Sequence, residues 1–202
     1  MRVPEWYSRD VSRETLEKLD GYAALLRKWT SKINLISKAS VDDLENRHIW
    51  DSAQVYIETT ESWLDLGSGG GLPGVVVAIL AQGDGHDLPM TMVESDQRKS
   101  TFLRACTREL DVPFTVIAER IEKLTPQSAS VVSARALANL DTLLGLAKPH
   151  LSTEGQCVFM KGAAWADELV EAERNWRFSC EATPSRTNPE AAILRIKGIE
   201  RV

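Results

Sequence analysis

Long apolar stretches are missing from this chain. The longest, Val75 to Ala81, falls far short of the about 20 residues that a bilayer-spanning helix needs, and the opening MRVPEWYSRD carries no apolar core of the secretory type. Neither a membrane protein nor a conventionally secreted one is expected. Cysteine is scarce as well: Cys106, Cys157 and Cys180 are odd in number, far apart and without a CxxC pair, which excludes a disulfide framework and reads as reduced thiols of a cytoplasmic protein. The three histidines, His48, His86 and His150, do not combine with them at zinc-ligand spacing, so no metal is expected. Basic excess is the last absence. Lys and Arg number 24 against 29 Asp and Glu, for a net charge of −5, and a division at Glu58 gives 9 basic and 10 acidic residues before it, then 15 and 19 after. There is no basic arm, and any contact with a nucleic acid has to come from local clusters.

What is present is enough apolar material for one sizeable core: 43% of 202 residues are hydrophobic and 26% charged, the balance of a globular chain with one main domain. From Ser12 onward, Leu16, Leu19, Ala23, Leu26 and Trp29 recur at three- and four-residue steps, the stripe of an amphipathic helix with Ser12 as its N-cap. Further helices are expected over Val41 to Arg47 and Ile49 to Thr60, making residues 1–60 a helical extension.

The texture then changes. Short β-type runs at Trp63 to Leu66, Met90 to Val93, Phe114 to Ala118, Val131 to Ala134 and Cys157 to Met160 alternate with helical segments at Gly74 to Ala81, Gln97 to Leu110, Asn139 to Ala147 and Trp165 to Trp176. Such alternation predicts βαβ units and a mostly parallel sheet over residues 61–202, packed with the extension as one unit. The last two runs, Phe178 to Thr183 and Ala192 to Lys197, are separated only by PSRTNPE, too short for a crossover, so they should pair antiparallel. The fold class is α/β, Rossmann-like, with the closing antiparallel hairpin of the S-adenosylmethionine (SAM) methyltransferase sheet.

The stretch WLDLGSGGGLPG packs five glycines into eight residues. Gly69, Gly71 and Gly74 spell the dinucleotide pattern G-x-G-x-x-G, but the apolar strand runs straight into Gly67, two residues earlier. In the register that begins at Gly67, Leu72 stands where a dinucleotide loop needs its third glycine. That register instead gives an apolar strand, an acid two residues before the first glycine, and G-x-G-x-G. Without Cβ atoms, Gly67 and Gly69 let the backbone approach the methionine part of SAM, and Asp65 can hold its ammonium directly or through water. Glu94, at the tip of the second strand and 23 residues past Gly71, is placed to accept two ribose hydroxyls. In AERIEKL, Ile121 can pack on an adenine face while Glu122 accepts from its amine, although Glu122 can equally be a helix N-terminal acid.

These residues, with INLIS (Ile33 to Ser37), RHIWDS (Arg47 to Ser52), DLGSGGGLPG (Asp65 to Gly74), RKSTFLR (Arg98 to Arg104), SARAL (Ser133 to Leu137) and MKG (Met160 to Gly162), make the chain resemble the RsmG (GidB) family over nearly its whole length. Members are bacterial methyltransferases that modify guanine N7 in the decoding-region loop of 16S ribosomal RNA. The resemblance implies SAM as cosubstrate, contacts to it from Gly67, Leu72, Glu94, Ile121, Glu122 and Arg135, and 16S rRNA or a small-subunit particle as partner; a monomer is expected.

The chemistry that is not written into the chain agrees with such a reaction. Exocyclic-amine methyltransferases resemble one another in a (D/N)PP(Y/F) motif where this chain has Ser133-Ala134-Arg135-Ala136, and no cysteine falls in a loop that could serve as a pyrimidine-directed nucleophile. Guanine N7 has an in-plane lone pair and no proton, so it needs alignment rather than a base, and no catalytic acid or base is nominated. Arg135 is a ligand for the SAM carboxylate, an RNA phosphate contact or a structural ion pair. For RNA the cationic candidates are Arg120 and Lys123 beside the adenine loop, Arg98, Lys99, Arg104 and Arg108 on one helix, Lys148, Lys161, and Arg27, Lys28, Lys32, Lys38 and Arg47 near the N-terminus, while His48, three residues from Asp51 on one helix face, either touches substrate or locks the helical segment to the sheet. A nucleotide-dependent oxidoreductase and a non-catalytic RNA-binding protein with a SAM fold are the rival readings. Recognition of shape in a preformed particle is the expectation from the acidic balance.

Overall fold

The computed structural model describes residues 1–59 and 61–202. Helix α1 (Arg13–Thr30) starts where Ser12 Oγ accepts the Thr15 amide at 3.1 Å, a cap that contributes about 1 kcal/mol. Leu19, Tyr22, Ala23 and Leu26 are buried along its stripe, with Leu16 and Trp29 packed at the margin. Each fully covered large side chain is stabilising by roughly 1.5–3 kcal/mol.

The next stretch departs from expectation. Instead of helices over Val41 to Arg47 and Ile49 to Thr60, a 3₁₀ turn (Lys38–Ser40) precedes a π-helical segment (Glu45–Trp50) that runs into the short α2 (Asp51–Ala53). The winding stops because Val55 and Tyr56 donate to the carbonyls of Ser52 and Ala53, which tightens the last turn. Both side chains are nevertheless buried, so the apolar period outlives the helix. Thr60, the last residue of the expected helix, lies outside the described residues.

Beyond it come β1 (Trp63–Leu66), α3 (Gly74–Gly83), β2 (Met90–Val93), α4 (Gln97–Leu110), β3 (Thr115–Ile117), β4 (Ala129–Arg135), α5 (Leu140–Ala147), β5 (Leu151–Lys161), α6 (Trp165–Ala172), β6 (Trp176–Pro184) and β7 (Ala192–Arg201). They form one seven-stranded sheet in the order β3-β2-β1-β4-β5-β7-β6. Strands β1 to β5 pair parallel, and β7 runs antiparallel to both β5 and β6, as the PSRTNPE link requires. Trp176, expected at the end of a helix, instead opens β6: α6 stops at Ala172, Asn175 turns back to its carbonyl, and the Trp176 indole N–H donates to Asp141 at 3.0 Å.

Two apolar layers cover the sheet. One is built by α1, α3, α4 and residues 44–57 over Trp63, Met90, Met92, Val131 and Val158; the other by α5 and α6 over Leu64, Leu66, Val132, Phe159 and Leu194. The alternation along β1 thus sends Trp63 and Asp65 to one layer and Leu64 and Leu66 to the other. Strand order reverses between β1 and β4, and at such a switch point the loops beyond the strand ends part to leave a crevice. Among the described residues no helix is long and apolar enough to cross a membrane.

Candidate active site

The glycine loop fills one side of that crevice, and its glycines divide into two sets. Gly67, Gly69 and Gly71 all have positive φ, at 62°, 54° and 84°, a region that L side chains enter only with strain. A Cβ on Gly69 would meet nothing nearer than 3.7 Å, whereas one on Gly71 would lie 2.5 Å from Val75 and 3.0 Å from the Tyr22 hydroxyl. A Cβ on Gly74 would lie 2.9 Å from Asp65. Gly71 and Gly74 therefore serve internal packing, so that of the G-x-G-x-x-G spacing only Gly69 keeps an open side. Gly67 packs against the loop after β4, where an added Cβ would lie 2.6 Å from Leu137 Cδ1. From below, the Tyr22 hydroxyl donates to the Gly70 carbonyl at 2.5 Å, so α1 props the loop directly. Leu72 is buried in the α1/α3 layer, and α3 begins after Pro73.

Glu94 lies against the loop at the tip of β2, 7% exposed. Its Oε2 accepts the Gly69 amide at 2.8 Å and its Oε1 the Asp96 amide at 2.7 Å. Each oxygen retains a lone pair, the capacity that two ribose hydroxyls require. Beyond β3, Ile121 is half-buried on a 3₁₀ turn (Ile121–Lys123) with Glu122 exposed beside it. The open side of Gly69 and the Glu94 carboxylate thus lie in contact at the ends of β1 and β2.

Asp65 does not join them. It has no exposed surface; its Oδ1 accepts the Ser133 hydroxyl at 2.6 Å, and Ser133 Oγ in turn accepts the Trp63 indole N–H at 2.8 Å. Oδ2 lies against Gly74 without a hydrogen-bond partner among the described residues, and burial raises the carboxyl pKa to about 6. The acid expected to hold the SAM ammonium, directly or through water, ties β1 to β4 beneath the loop, with no face of its own in the crevice. Ser133, the first residue of SARAL, gave no sign of this partnership in the sequence.

Past β4 the crevice opens into a cleft of about 530 Å³, the size of a small-molecule site. At its edge stands Arg135, and the motif RHIWDS is wrapped around it. Arg135 donates to the Arg47 carbonyl at 2.9 Å and to His48 Nδ1 at 2.9 Å, and pairs with Asp51 at 3.5 Å. Since an arginine only donates, His48 Nδ1 is an acceptor and its Nε2–H must be the donor to Ser40 Oγ, at 2.7 Å. Burial and the cations Arg135 and Arg47 hold the His48 pKa down at about 4, so the ring is neutral at pH 7. His48 and Asp51 thus face the same side, as the spacing implied, but they meet on Arg135 rather than each other. RHIWDS and SARAL are the two halves of one junction between the helical segment and the sheet.

Lys161 also reads differently in place. Its side chain is 8% exposed, held 2.6 Å from Glu168 and 2.8 Å from the Ala138 carbonyl. It braces residues 136–139 against α6 and is not free to meet a phosphate. Arg120, in contrast, is exposed and has no ion-pair partner among the described residues. Ser185, Thr187 and Asn188 of the β6–β7 loop complete the cleft; only their nearness in space to Asp51, 134 residues or more away in the chain, brings them to the site.

A family model described as rRNA small subunit methyltransferase G matches residues 15–191. The chain belongs to this methyltransferase G family, also called GidB. The ribosomal RNA small subunit methyltransferase G of a Ruegeria species is 52% identical over 195 residues, covering 96% of this chain and 95% of that protein. That of Ruegeria pomeroyi is 49% identical over 204 residues and covers both chains completely. Among solved structures, a SAM dependent methyltransferase from Aquifex aeolicus superposes with a TM-score of 0.58 at 9% identity, over 86% of this chain and 96% of that one. M. jannaschii TYW2 in complex with AdoMet gives 0.56 at 13%, over 86% and 80%. The fold of this methyltransferase G chain is accordingly that of the SAM-dependent methyltransferases.

Proposed function

We propose that this protein transfers the methyl group of SAM to N7 of a guanine in the decoding-region loop of 16S rRNA, by direct in-line attack. Gly67, Gly69 and Leu72 would take the methionine part, Glu94 the ribose, and Ile121 with Glu122 the adenine. SAM supplies a methyl carbon on a positively charged sulfur. The N7 lone pair forms the new N–C bond as the C–S bond breaks onto sulfur; no proton moves, and the positive charge passes to the guanine.

One observation carries this reading: the acid–base side chains of the cleft already have partners. His48 is neutral with both ring nitrogens engaged, Asp51 is paired with Arg135, and Lys161 with Glu168. Cys157 is wholly buried within β5, too far inside to act as a nucleophile. Among the described residues of the cleft, a reaction that must remove a proton finds no free base, whereas N7 alkylation needs only that nucleophile, carbon and leaving sulfur be aligned. Arg135 tethers the cleft wall through its contacts to RHIWDS. Asp51 beside it offsets a guanidinium charge that would otherwise oppose formation of a cationic product. For the RNA, the exposed Arg120 beside the adenine turn and Lys32 and Lys99, in a depression that also holds the Arg98–Asp96 pair, would supply phosphate contacts. His48 is buried and serves the Arg135 junction rather than the RNA.

Transfer of labelled methyl from SAM to small-subunit particles and to naked 16S rRNA, followed by mapping of the modified base, tests this. Label on N7 of a decoding-region guanine is expected; no label, or label on protein or on another base atom, refutes it. Binding of NAD(P)H without SAM would revive the oxidoreductase reading, and SAM binding without transfer would point to a non-catalytic RNA-binding protein. Efficient methylation of any short guanine-containing oligonucleotide would contradict recognition of a preformed particle.

A further inference from the structure

Asp51 does more than pair with Arg135. Its Oδ1 accepts the Ser185 hydroxyl at 3.1 Å, the Thr187 hydroxyl and the Gln54 amide at 3.1 Å, while Oδ2 faces Arg135 at 3.5 Å. Gln54 returns the contact: its Oε1 accepts the Arg186 amide at 2.7 Å and its Nε2 donates to Ser185 Oγ at 3.2 Å. A single carboxylate thus gathers the helical segment, the end of β4 and the β6–β7 loop. A hairpin loop closes without such help, since Pro184 pairs with Ala192 and the Ser185 amide donates to the Ala191 carbonyl at 2.9 Å. The tether instead fixes where the loop lies, and Ser185, Thr187 and Asn188 are walls of the cleft.

Asn188 is exposed, and its Oδ1 accepts the Glu190 amide at 3.2 Å, which leaves its NH₂ group as a neutral donor without a partner among the described residues. A neutral donor suits the O6 edge of a guanine that becomes cationic, where a lysine or arginine would oppose the charge. We infer that Asp51 is a positioning residue for the RNA substrate: through Ser185 and Thr187 it holds the β6–β7 loop as the wall that receives the target guanine, with Asn188 as the contact to the base. This rests on the guanine-directed reading above.

The test is a double variant, Ser185→Ala with Thr187→Val, which removes both hydroxyls and leaves the Asp51–Arg135 pair in place. With small-subunit particles as substrate, KM is expected to rise 10-fold or more while kcat stays within about threefold and the SAM dissociation constant within twofold. The exchange variant, Ser185→Thr with Thr187→Ser, restores both hydroxyls and should bring KM back to within threefold of wild type. Asn188→Ala should raise KM without altering SAM binding. Backbone amides of residues 185–191 should exchange faster in the double variant, a readout independent of activity. Unchanged KM and unchanged exchange in the double variant, with an active wild type, overturn the inference alone. A parallel loss of SAM affinity also overturns it, because the loop would then support the SAM side. An inactive wild type on particles and on rRNA overturns the guanine reading itself.

Discussion

Two glycines two positions apart should fail in opposite ways when each gains a single methyl group. Gly69→Ala places a Cβ in near-open space, with Gly67 O at 3.7 Å and Glu94 Oε2 at 4.0 Å as its neighbours. Its folding cost is then the left-handed backbone alone, about 1–2 kcal/mol. Gly71→Ala adds to the same backbone term a Cβ at 2.5 Å from Val75 Cγ2, 3.0 Å from Tyr22 Oη and 3.1 Å from Leu103 Cδ2, and overpacking of a core costs about 1–3 kcal/mol more. At about 2–4 °C per kcal/mol for a chain of this size, Gly71→Ala should melt several degrees below Gly69→Ala. Binding should run the other way: the new methyl of Gly69→Ala lies on the face offered to SAM, so its dissociation constant should rise 10-fold or more in titration calorimetry while the fold survives. Urea unfolding with unchanged m-value separates the two effects. A Gly69→Ala protein that binds SAM like wild type, beside a Gly71→Ala protein that melts like wild type, would refute the division of the loop into a ligand side and a packing side.

Three further outcomes follow from the same geometry. Tyr22→Phe strips the buried Gly70 carbonyl of its donor and should lower stability by about 1–3 kcal/mol, read by urea unfolding; no change would mean that α1 does not support the loop. His48 and Asp65 should give stability opposite pH dependences. The folded His48 pKa, about 4, lies below its unfolded value, so stability present above about 6.5 is lost as pH falls toward 4, on the order of 2 kcal/mol once solvent screening is allowed for. The folded Asp65 pKa, about 6, lies above its unfolded value, so its contribution is greatest below about 4 and is lost as pH rises through 6, on the order of 3 kcal/mol. His48→Gln and Asp65→Asn should each remove their own slope from the stability curve, and a slope that survives its substitution refutes the assignment. Cys157→Ser buries a hydroxyl in β5 and should cost about 1–3 kcal/mol, yet a folded variant should still transfer methyl; loss of only the transfer step would contradict a reaction without a protein nucleophile.

How far the chain could be read before its structure depended on whether partners were close in sequence. Strand β1, the glycine loop, β2 with Glu94 and α4 are spelled by local signals, a strand period, a turn that only glycine enters and an acid at a fixed offset, and they lie where the spelling puts them. Residues 41–59 could not be read that way, because Val55 and Tyr56 keep the apolar rhythm after the helix has stopped. Asp65, Arg135 and Lys161 were recognisable as charges near a ligand loop, but their partners, Ser133, Asp51 and Glu168, are 68, 84 and 7 residues away. A charge in a sequence looks the same whether it faces a ligand or a buried neighbour. The distinction matters for function because Asp65, Asp51 and Lys161 act by holding the backbone around the crevice, and a reaction that depends on alignment needs fixed walls more than it needs a reactive side chain. Motifs far apart in the chain, RHIWDS and SARAL, then have one physical cause: Arg135 of SARAL is held by Arg47, His48 and Asp51 of RHIWDS, which fixes the helical segment against the end of β4 at the edge of the cleft.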